Sequence, residues 1–296
     1  MKVSVIIPTW RDWSRLALCL DALSRQTLPR EWFEILVIDN DTLHAPPPLP
    51  AGVLCVHEPQ GFSYAARNAG LRKACGEVIA FTDADCIPEP DWLEQGLAAL
   101  EAHPQWGLVA GRIELFSRVE NTVMRYEQLF EFQQQLYVER LRFGATANLF
   151  ARRAAIDATG GFDASMKSGG DSDFGRRATA LGFGLGYSAE PCIRHPSREH
   201  LSEVLQKNRR VAAGFYGHAL RDNGGRREGL WRQLPWWWRP RLREWWHILS
   251  GARGSSRYAL RHRFGVVALH LLLHYHTAWC LLSTHLTQGR SHHAVR

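Results

Sequence analysis

Short apolar runs alternate with helical patterns along the first part of the chain. The first run, VSVII at residues 3–7, is rich in β-branched side chains and ends at Pro8, which is typical of a buried strand. Apolar side chains then recur at helical spacing, at Leu16, Cys19, Leu20 and Leu23. This segment therefore predicts a strand, a loop and a helix.

Two further runs repeat this arrangement. EILVID at 34–39 and EVIAFTD at 77–83 predict strands, and residues 64–74 between them predict a helix. Strands that alternate with helices at these distances form βαβ units, so we expect a largely parallel sheet with helices on both faces. Ligands bind such sheets beyond the carboxyl ends of the strands. The side chains expected to converge there are Thr9, Asp39, Asp83 and Asp85.

The second half of the chain is less regular. Residues 121–141 are polar and aromatic with helical character, and NLFARR at 148–153 predicts another strand. After His195 the composition changes to Arg, Trp and His. We therefore predict an α/β domain over residues 1–220 and a basic helical region over 221–296.

Composition narrows the class of protein. The 296 residues are 45% hydrophobic and 22% charged, which is enough for one sizeable core. The six cysteines include no CxxC pair and no close His/Cys cluster, so we expect no zinc module and no disulfide framework, as in a reducing cytosol. The amino-terminal apolar run is too short for the core of a signal peptide, and we expect a domain that is not exported.

The net charge of +7 is unevenly distributed. From residue 194 onward there are 18 Lys+Arg and 5 Asp+Glu, a balance of +13, against 18 and 24, a balance of −6, before it. This split predicts an acidic functional unit followed by a segment that meets an anionic surface, either lipid headgroups or nucleic acid.

The main candidate for chemistry is the Asp83-Ala84-Asp85 motif at the end of the third predicted strand. Two carboxylates one residue apart can jointly orient a divalent cation and a ribose hydroxyl. Acidic residues also end many strands as turn formers or helix caps. The motif alone leaves both interpretations open.

Four segments of the chain carry a resemblance to a known family. They are VSVIIPTW, ILVIDND, ARNAGLRKACGEVIAFTDADC and GGFDASMKSGGDSDFGRRA. In this order they resemble the family 2 glycosyltransferases of the GT-A fold, over residues 2–195. The resemblance implies a Rossmann-like mixed α/β sheet with helices on both faces in a catalytic domain over 1–220. It also implies transfer of a sugar from a nucleotide diphosphate donor to an acceptor hydroxyl.

The resemblance also implies a nucleotide site. Pro8, Thr9 and Asp39 would contact the nucleobase and ribose. An Asp39 carboxylate that accepts from a uracil imide favours a UDP donor, with GDP and dTDP left open. Arg67 and Asn68 would line the nucleotide pocket, although Arg67 is alternatively a surface helix arginine.

A metal site is implied beside it. Asp83 would contact the ribose, and Asp85 would ligate Mn²⁺ or Mg²⁺ bridging the diphosphate oxygens. Many relatives place a histidine where His195 lies, and imidazole is a reasonable further ligand. In a chain with 14 histidines, an incidental surface histidine is the alternative.

The GGDSDF segment contains the candidate base. Asp171 aligns with the family carboxylate that deprotonates the acceptor, in a displacement that inverts the anomeric centre. The family often has Glu before this Asp, where this chain has Gly170. Asp171 or Asp173 could instead cap a helix that begins near Phe174. We favour the base for Asp171 and the cap for Asp173.

The carboxyl-terminal region combines tryptophan with arginine. Half of the tryptophans lie in one short stretch, at Trp231, Trp236, Trp237, Trp238, Trp245 and Trp246. This composition suits the headgroup region of a bilayer. Residues 264–289 contain no Asp, Glu, Lys or Arg, but His270, His274 and His285 fall on one helix face. Surface association, a buried structural helix and a membrane span all remain open, and a His270/His274 metal site is a weaker alternative to a polar helix face.

Two other functions compete with this interpretation. A sugar nucleotidyltransferase needs a glycine-rich phosphate loop after the first strand, and PTWRDW contains no glycine. A non-catalytic protein would bind membrane or nucleic acid through the Trp/Arg region. We expect a transferase of a surface-polysaccharide or glycolipid pathway. It would use a saccharide or lipid-linked acceptor, at the inner face of the cell membrane and without a nucleic-acid partner.

Overall fold

The structure is a computed structural model and describes residues 2–41, 43–222, 238–252 and 254–291. The chain divides into two compact units, the first formed by Met1–Phe116 and Phe132–Pro196, the second by Ser117–Glu131 and Ser197–Arg296. The sequence analysis placed the boundary at residue 220. The units separate earlier because the helix that begins at Leu201 packs with the carboxyl-terminal helices. Trp231, Trp236 and Trp237 lie outside the described residues.

The first unit is built on one eight-stranded sheet. Its strands are β1 Val3–Thr9, β2 Phe33–Asp39, β3 Val53–His57, β4 Val78–Thr82, β5 Ile87–Pro88, β6 Trp106–Phe116, β7 Asn148–Arg152 and β8 Gly184–Pro196. They lie in the order β3-β2-β1-β4-β7-β6-β8-β5.

The helices of the first unit connect these strands. They are α1 Trp13–Ser24, α2 Ser63–Lys73, α3 Trp92–Ala102, α5 Gln134–Leu136, α6 Arg153–Thr159 and α7 Gly170–Ala180, with single turns at Arg30–Trp32 and Tyr137–Leu141. The second unit contains α4 Thr122–Phe130, α8 Leu201–Asp222, α9 Leu242–Ser250 and α10 Leu260–Ser291, with one turn at Ser255–Arg257.

The sheet is mixed. Strands β3, β2, β1 and β4 are mutually parallel, as the βαβ pattern predicts. Strand β7 pairs antiparallel with both β4 and β6, and β5 pairs antiparallel with β8. Strands β6 and β8 are parallel to each other, so four of the seven strand pairings among the described residues are parallel and the predicted largely parallel sheet is present, with β7 and β5 as its antiparallel strands. The mixed sheet implied by the family resemblance is confirmed.

Successive side chains of the central strands point to opposite faces of the sheet and form two hydrophobic cores, one on each face. Val5 and Ile7 of β1 pack into one buried cluster with α1 and α3. Ile6 packs into the other with α2 and α7. Because successive side chains of a strand point to opposite faces, helices cover both faces and leave the carboxyl ends of the strands as the accessible edge.

The polar segment 121–141 is not one helix. It is helical over α4 and again from α5 onward, with a break at Glu131–Gln133 where Phe132 has a φ of +49°. The strand predicted at 148–153 is present as β7.

Helix α10, with 32 residues, is the longest of the described helices of the second unit. Its stretch Leu260–Thr287 is the one helix, among the described residues, that is long and apolar enough to cross a membrane, with a mean hydropathy of 1.4. The helix packs against α4, α8 and α9 of the same unit.

Candidate active site

The first two strands end in buried polar side chains that lie side by side. Thr9 and Asp39 are directly aligned in the parallel pairing of β1 with β2, one residue beyond Pro8 and its partner Ile38. Within the described chain, Thr9 Oγ1 and Asp39 Oδ2 are buried and have no hydrogen-bond partner. Unpaired buried polar atoms are costly and mark places where a ligand can bind. Asp39 Oδ1, by contrast, accepts from the Asp41 amide at 3.0 Å.

An ion pair beside them was not predicted from the sequence. Arg11, in a left-handed conformation with φ +58°, donates to both carboxylate oxygens of Asp41 at 2.9 and 3.2 Å. The hydrogen bond from Arg11 holds the pKa of Asp41 well below its usual range. The pair joins the loops that follow β1 and β2. No periodicity or family motif identifies it, since the partners lie 30 residues apart.

Arg67 of α2 is buried and holds Asp83, the first acid of the DxD motif. Its side chain is 4% exposed, and its Nη2 donates to Asp83 Oδ1 at 2.5 Å. The surface alternative for Arg67 is therefore wrong. Arg67 Nε is buried and, within the described residues, has no partner.

Asn68, the neighbour of Arg67, has a structural role. Its Nδ2 donates to the Phe162 carbonyl at 2.7 Å, and its Oδ1 accepts from the Phe162 amide at 2.9 Å. This pair of bonds fastens α2 to the loop after α6. The oxygen and the nitrogen of the Asn68 amide are both used in these bonds.

Asp85 and His195 face one another. Asp85 Oδ1 lies 3.6 Å from His195 Nε2, and His195 is 7% exposed, which excludes an incidental surface histidine. His195 Nδ1 donates to the Pro196 carbonyl at 2.7 Å. In neutral imidazole this leaves the lone pair on Nε2, directed toward Asp85, as a metal-binding histidine requires.

This donor set fits a divalent cation. Asp85, Cys86 and His195 place ligand atoms within 4.8 Å of one another. Burial raises the pKa of the Cys86 thiol well above its usual value, so the thiol stays protonated and is a poor ligand for a hard cation. Burial also raises the pKa of Asp85, an effect opposed by His195. Asp85 and His195 are thus the residues that could hold Mn²⁺ or Mg²⁺.

Asp171 lies inside the first turn of α7. The helix begins at Gly170 with Gly169 as its N-cap, four residues before the predicted start at Phe174. Asp171 accepts from the Thr146 amide at 3.2 Å and from the Thr146 hydroxyl at 3.1 Å. Asp173 pairs with Arg177 at 2.8 Å. Neither acid is the N-cap residue, so the capping interpretation is wrong for both.

The environment of Asp171 favours its neutral form. Burial raises its pKa, while Arg67 and the two hydrogen bonds from Thr146 act in the opposite direction and Asp83 adds to the increase. The interactions of Arg67 and Asp83 with Asp171 join the acid on α7 to the first acid of the DxD motif.

Gly170 leaves room for an aromatic ring. A Cβ at this position would lie 2.7 Å from the Tyr64 ring, closer than packed atoms approach. The Tyr64 ring of α2 therefore occupies the space that the Glu side chain often found here in the family would need.

Gln134 is a second residue that sequence reasoning missed. It is 2% exposed, and its amide donates to the carbonyls of Ala145 and Asn148 at 3.2 and 3.0 Å and accepts from the Ala145 amide at 2.8 Å. The bonds hold both ends of the short loop that contains Thr146. Gln134 lies in a polar segment without a motif, so the sequence contains no signal for it.

The chain matches characterised glycosyltransferases over most of its first unit. Residues 4–160 match the family model described as Glycosyl transferase family 2. The chain is 32% identical over 222 residues to glycosyltransferase AglE of Haloferax volcanii, which covers 72% of each chain. It is 33% identical over 160 residues to the pre-mycofactocin glycosyltransferase of Mycobacterium tuberculosis, covering 52% of this chain and 33% of that protein.

Solved structures show the same fold. The mannosyltransferase PcManGT from Pyrobaculum calidifontis, in complex with GDP-Man and Mn²⁺, aligns with a TM-score of 0.57 at 18% identity over 98% of this chain and 75% of that one. Staphylococcus aureus TarS 1–349, in complex with UDP-GlcNAc, aligns with a TM-score of 0.54 at 17% identity over 72% of this chain and 66% of that one. Together with the acidic side chains at the strand ends, here called the acidic rim (Asp39, Asp83 and Asp85), these similarities show that the chain belongs to glycosyl transferase family 2 and is a glycosyltransferase of the GT-A fold.

Proposed function

We propose that the chain is an inverting, metal-dependent glycosyltransferase that moves a sugar from a nucleoside diphosphate donor, UDP-sugar foremost, to an acceptor hydroxyl. The observation that carries the proposal is the position of Asp171. Its carboxylate is held by Thr146 and interacts through Arg67 with Asp83. The candidate base and the first acid of the DxD motif thus both interact with one buried arginine, Asp83 by a hydrogen bond and Asp171 through its charge.

Asp171 acts as the general base. Its raised pKa brings a carboxylate closer to the pH at which proton transfer is efficient. The acceptor hydroxyl transfers its proton to Asp171 as its oxygen forms the bond to the anomeric carbon. The bond from that carbon to the diphosphate oxygen breaks in the same displacement, and the configuration at the carbon inverts.

Thr9 and Asp39 bind the nucleobase. Thr9 Oγ1 and Asp39 Oδ2, which make no hydrogen bond within the described chain, lie at the ends of adjacent strands, and His57 Nδ1 is 3.6 Å from Asp39 Oδ2. A carboxylate accepts from the imide N–H of uracil and rejects cytosine, which presents an acceptor at the same position. This chemistry supports UDP; dTDP, which has the same imide, and GDP are the nucleotides to compare with it.

Asp85 and His195 would hold the divalent cation, with Asp83 oriented toward the ribose by Arg67. When bound, Mn²⁺ or Mg²⁺ supplies positive charge that neutralises the departing diphosphate. Arg15, whose Nη1 lies 3.4 Å from Asp85 Oδ2, adds a second cation beside the same carboxylate.

The acceptor is a saccharide or lipid-linked hydroxyl in cell-surface polysaccharide or glycolipid synthesis, and the reaction takes place at the inner face of the membrane. The +13 balance of the carboxyl-terminal region supports an anionic lipid surface as the site of action. No nucleic-acid partner is included in the proposal.

Titration calorimetry with UDP, dTDP and GDP, each with and without Mn²⁺, tests the proposal. We expect Mn²⁺-dependent binding of UDP to the wild type and its loss in Asp85→Ala. Asp21→Ala is the matched control, because Asp21 is an exposed acid of α1 that pairs with Arg25. Absence of nucleotide binding under every condition would overturn the proposal.

A further inference from the structure

Helix α10 exposes a long apolar face. Its exposed members, here called the apolar stripe, are Phe264 at 55%, Leu271 at 37%, Leu272 at 48%, Trp279 at 61% and Leu286 at 53%. At about 100° per residue they fall within a sector of about 100°. At 1.5 Å per residue the stripe is about 33 Å long. Trp238 lies beside it, with its ring 5.8 Å from that of Tyr275.

The opposite face of α10 packs within the second unit and carries both buried apolar side chains, Val266, Leu273 and Leu281, and three histidines. His270 Nδ1 accepts from Trp245 Nε1 at 3.1 Å, and Tyr216 Oη lies 3.0 Å from His285 Nδ1. His274 Nε2 lies 3.0 Å from the Arg239 carbonyl. The three histidines predicted to share a face therefore have partners on α8, on α9 or just before α9.

The packing of α8 against α10 argues against a membrane span. Thr277, in the middle of the apolar stretch, donates to Asn208 of α8 at 2.8 Å. The next residues of α8, Arg209 and Arg210, are exposed. If α10 crossed a bilayer with α8 attached, these guanidinium groups would lie in the hydrocarbon, which is strongly unfavourable.

The charge of the second unit complements an anionic surface. Exposed arginines lie on three of its helices or directly before them, at Arg209, Arg210, Arg241, Arg243 and Arg261. Arginine near an apolar face binds lipid phosphate while the apolar side chains enter the headgroup and acyl boundary.

We propose that the apolar stripe of α10 inserts into one leaflet of an anionic phospholipid membrane, with the helix parallel to the surface. The stripe inserts, the exposed arginines of the same unit supply the positive charge, and the histidine face stays packed against α8 and α9. This inference names the face and its orientation, and it does not depend on the identity of the donor nucleotide.

Vesicle co-flotation of the full chain tests it, with vesicles of phosphatidylcholine alone and of phosphatidylcholine mixed with phosphatidylglycerol. We expect the wild type to float with the mixed vesicles, more weakly at high salt. The double variant Leu272→Ser/Trp279→Ser should lower the partition coefficient about tenfold or more, since it removes two large apolar side chains from the interface. The matched control is Leu18→Ser/Leu54→Ser, which changes two comparably exposed side chains of the first unit.

Four results would overturn the inference. The stripe variant could float as well as the wild type. The wild type could bind neither kind of vesicle, or it could form a dimer that the stripe variant alone abolishes, which would make the stripe a contact between copies. The protein could also resist alkaline carbonate extraction from cell membranes, as a spanning helix does. An unchanged thermal unfolding midpoint and circular dichroism spectrum show that the stripe variant is folded whether or not the chain binds UDP, which separates this test from that of the proposed function.

Discussion

Two aspartates in the first turn of α7 have different environments although they are two residues apart. Asp171 points to Thr146, 25 residues earlier in the chain, and interacts with Arg67, while Asp173 pairs with Arg177 one turn along its own helix. The sequence offered the same pair of roles for both. Their partners distinguish a candidate base from an ordinary helix ion pair.

Replacing Asp171 with Asn should lower kcat by about a hundredfold to ten-thousandfold, because the variant has no carboxylate to accept the proton. The affinity for UDP should change little. Asp173→Asn is the control and should retain most of the activity. Steady-state kinetics and calorimetry measure the two effects, and equal losses in both variants would contradict the assignment.

The pH profile of the wild type tests the same residue. Asp171 works as a base only when deprotonated, so kcat falls as the pH falls through its pKa. Because burial raises that pKa, the acid limb of the profile, where kcat falls with pH, should have its midpoint above the ordinary aspartate pKa of about 3.9. A limb at or below the ordinary value would show that another group limits the rate.

Asp39 should determine the choice of base. In Asp39→Asn the Oδ2 position, which makes no hydrogen bond within the described chain, becomes an N–H donor, which opposes the uracil imide and matches the acceptor of cytosine. We expect UDP affinity to fall about tenfold to a hundredfold and the preference to shift toward CDP. Calorimetry with both nucleotides on this variant and on Asp21→Asn measures it; an unchanged ratio would show that Asp39 does not contact the base.

At the scale of elements, the segment from Phe132 to Arg142 is the least regular part of the first unit. Both of these residues have positive φ, at +49° and +56°, in positions that usually require glycine. Gln134 holds the segment to the loop of Thr146. The element therefore supports the loop from which Thr146 bonds to the candidate base.

Gln134→Leu should loosen that loop, because it removes the three hydrogen bonds between the Gln134 amide and the backbone of Ala145 and Asn148. We expect kcat to fall about tenfold or more with UDP affinity unchanged. Since the Thr146 bonds lower the pKa of Asp171, their loss should move the acid limb to higher pH. Gln135→Leu, at the exposed neighbour that bonds to Glu139, should leave both the rate and the limb in place. A lower rate with an unmoved limb would indicate a purely structural role for Gln134.

At the scale of the whole molecule, the chain joins an α/β unit with the acidic rim to a helical unit with a basic surface. The charge division predicted from composition follows these two units closely, because all but one of the 18 late basic residues lie after Pro196. The histidines of α10 make its apolar stretch less typical of a membrane span. In the structure, His270 and His285 contact Trp245 and Tyr216 on the packed face of the helix.

The sequence by itself determined the strands β1, β2, β4 and β7, the helices α1 and α2, and the acids at the strand ends. These features depend on residues close together in the chain, so their periodicity and family motifs can be recognised from the sequence alone. Strand β3 was missed because its residues are only partly buried and lack a clear alternation.

Only the tertiary structure decided how the candidate residues are used. Asn68 binds the backbone of Phe162, 94 residues away, and His195 at the end of β8 directs Nε2 toward Asp85, which lies just before β5, the strand paired with β8. Tertiary structure likewise decided the antiparallel pairing of β7 and β5 and the packing of the α10 histidines against α8 and α9. Each depends on contacts between segments distant in the chain, which packing and burial select and which no local pattern of residues encodes.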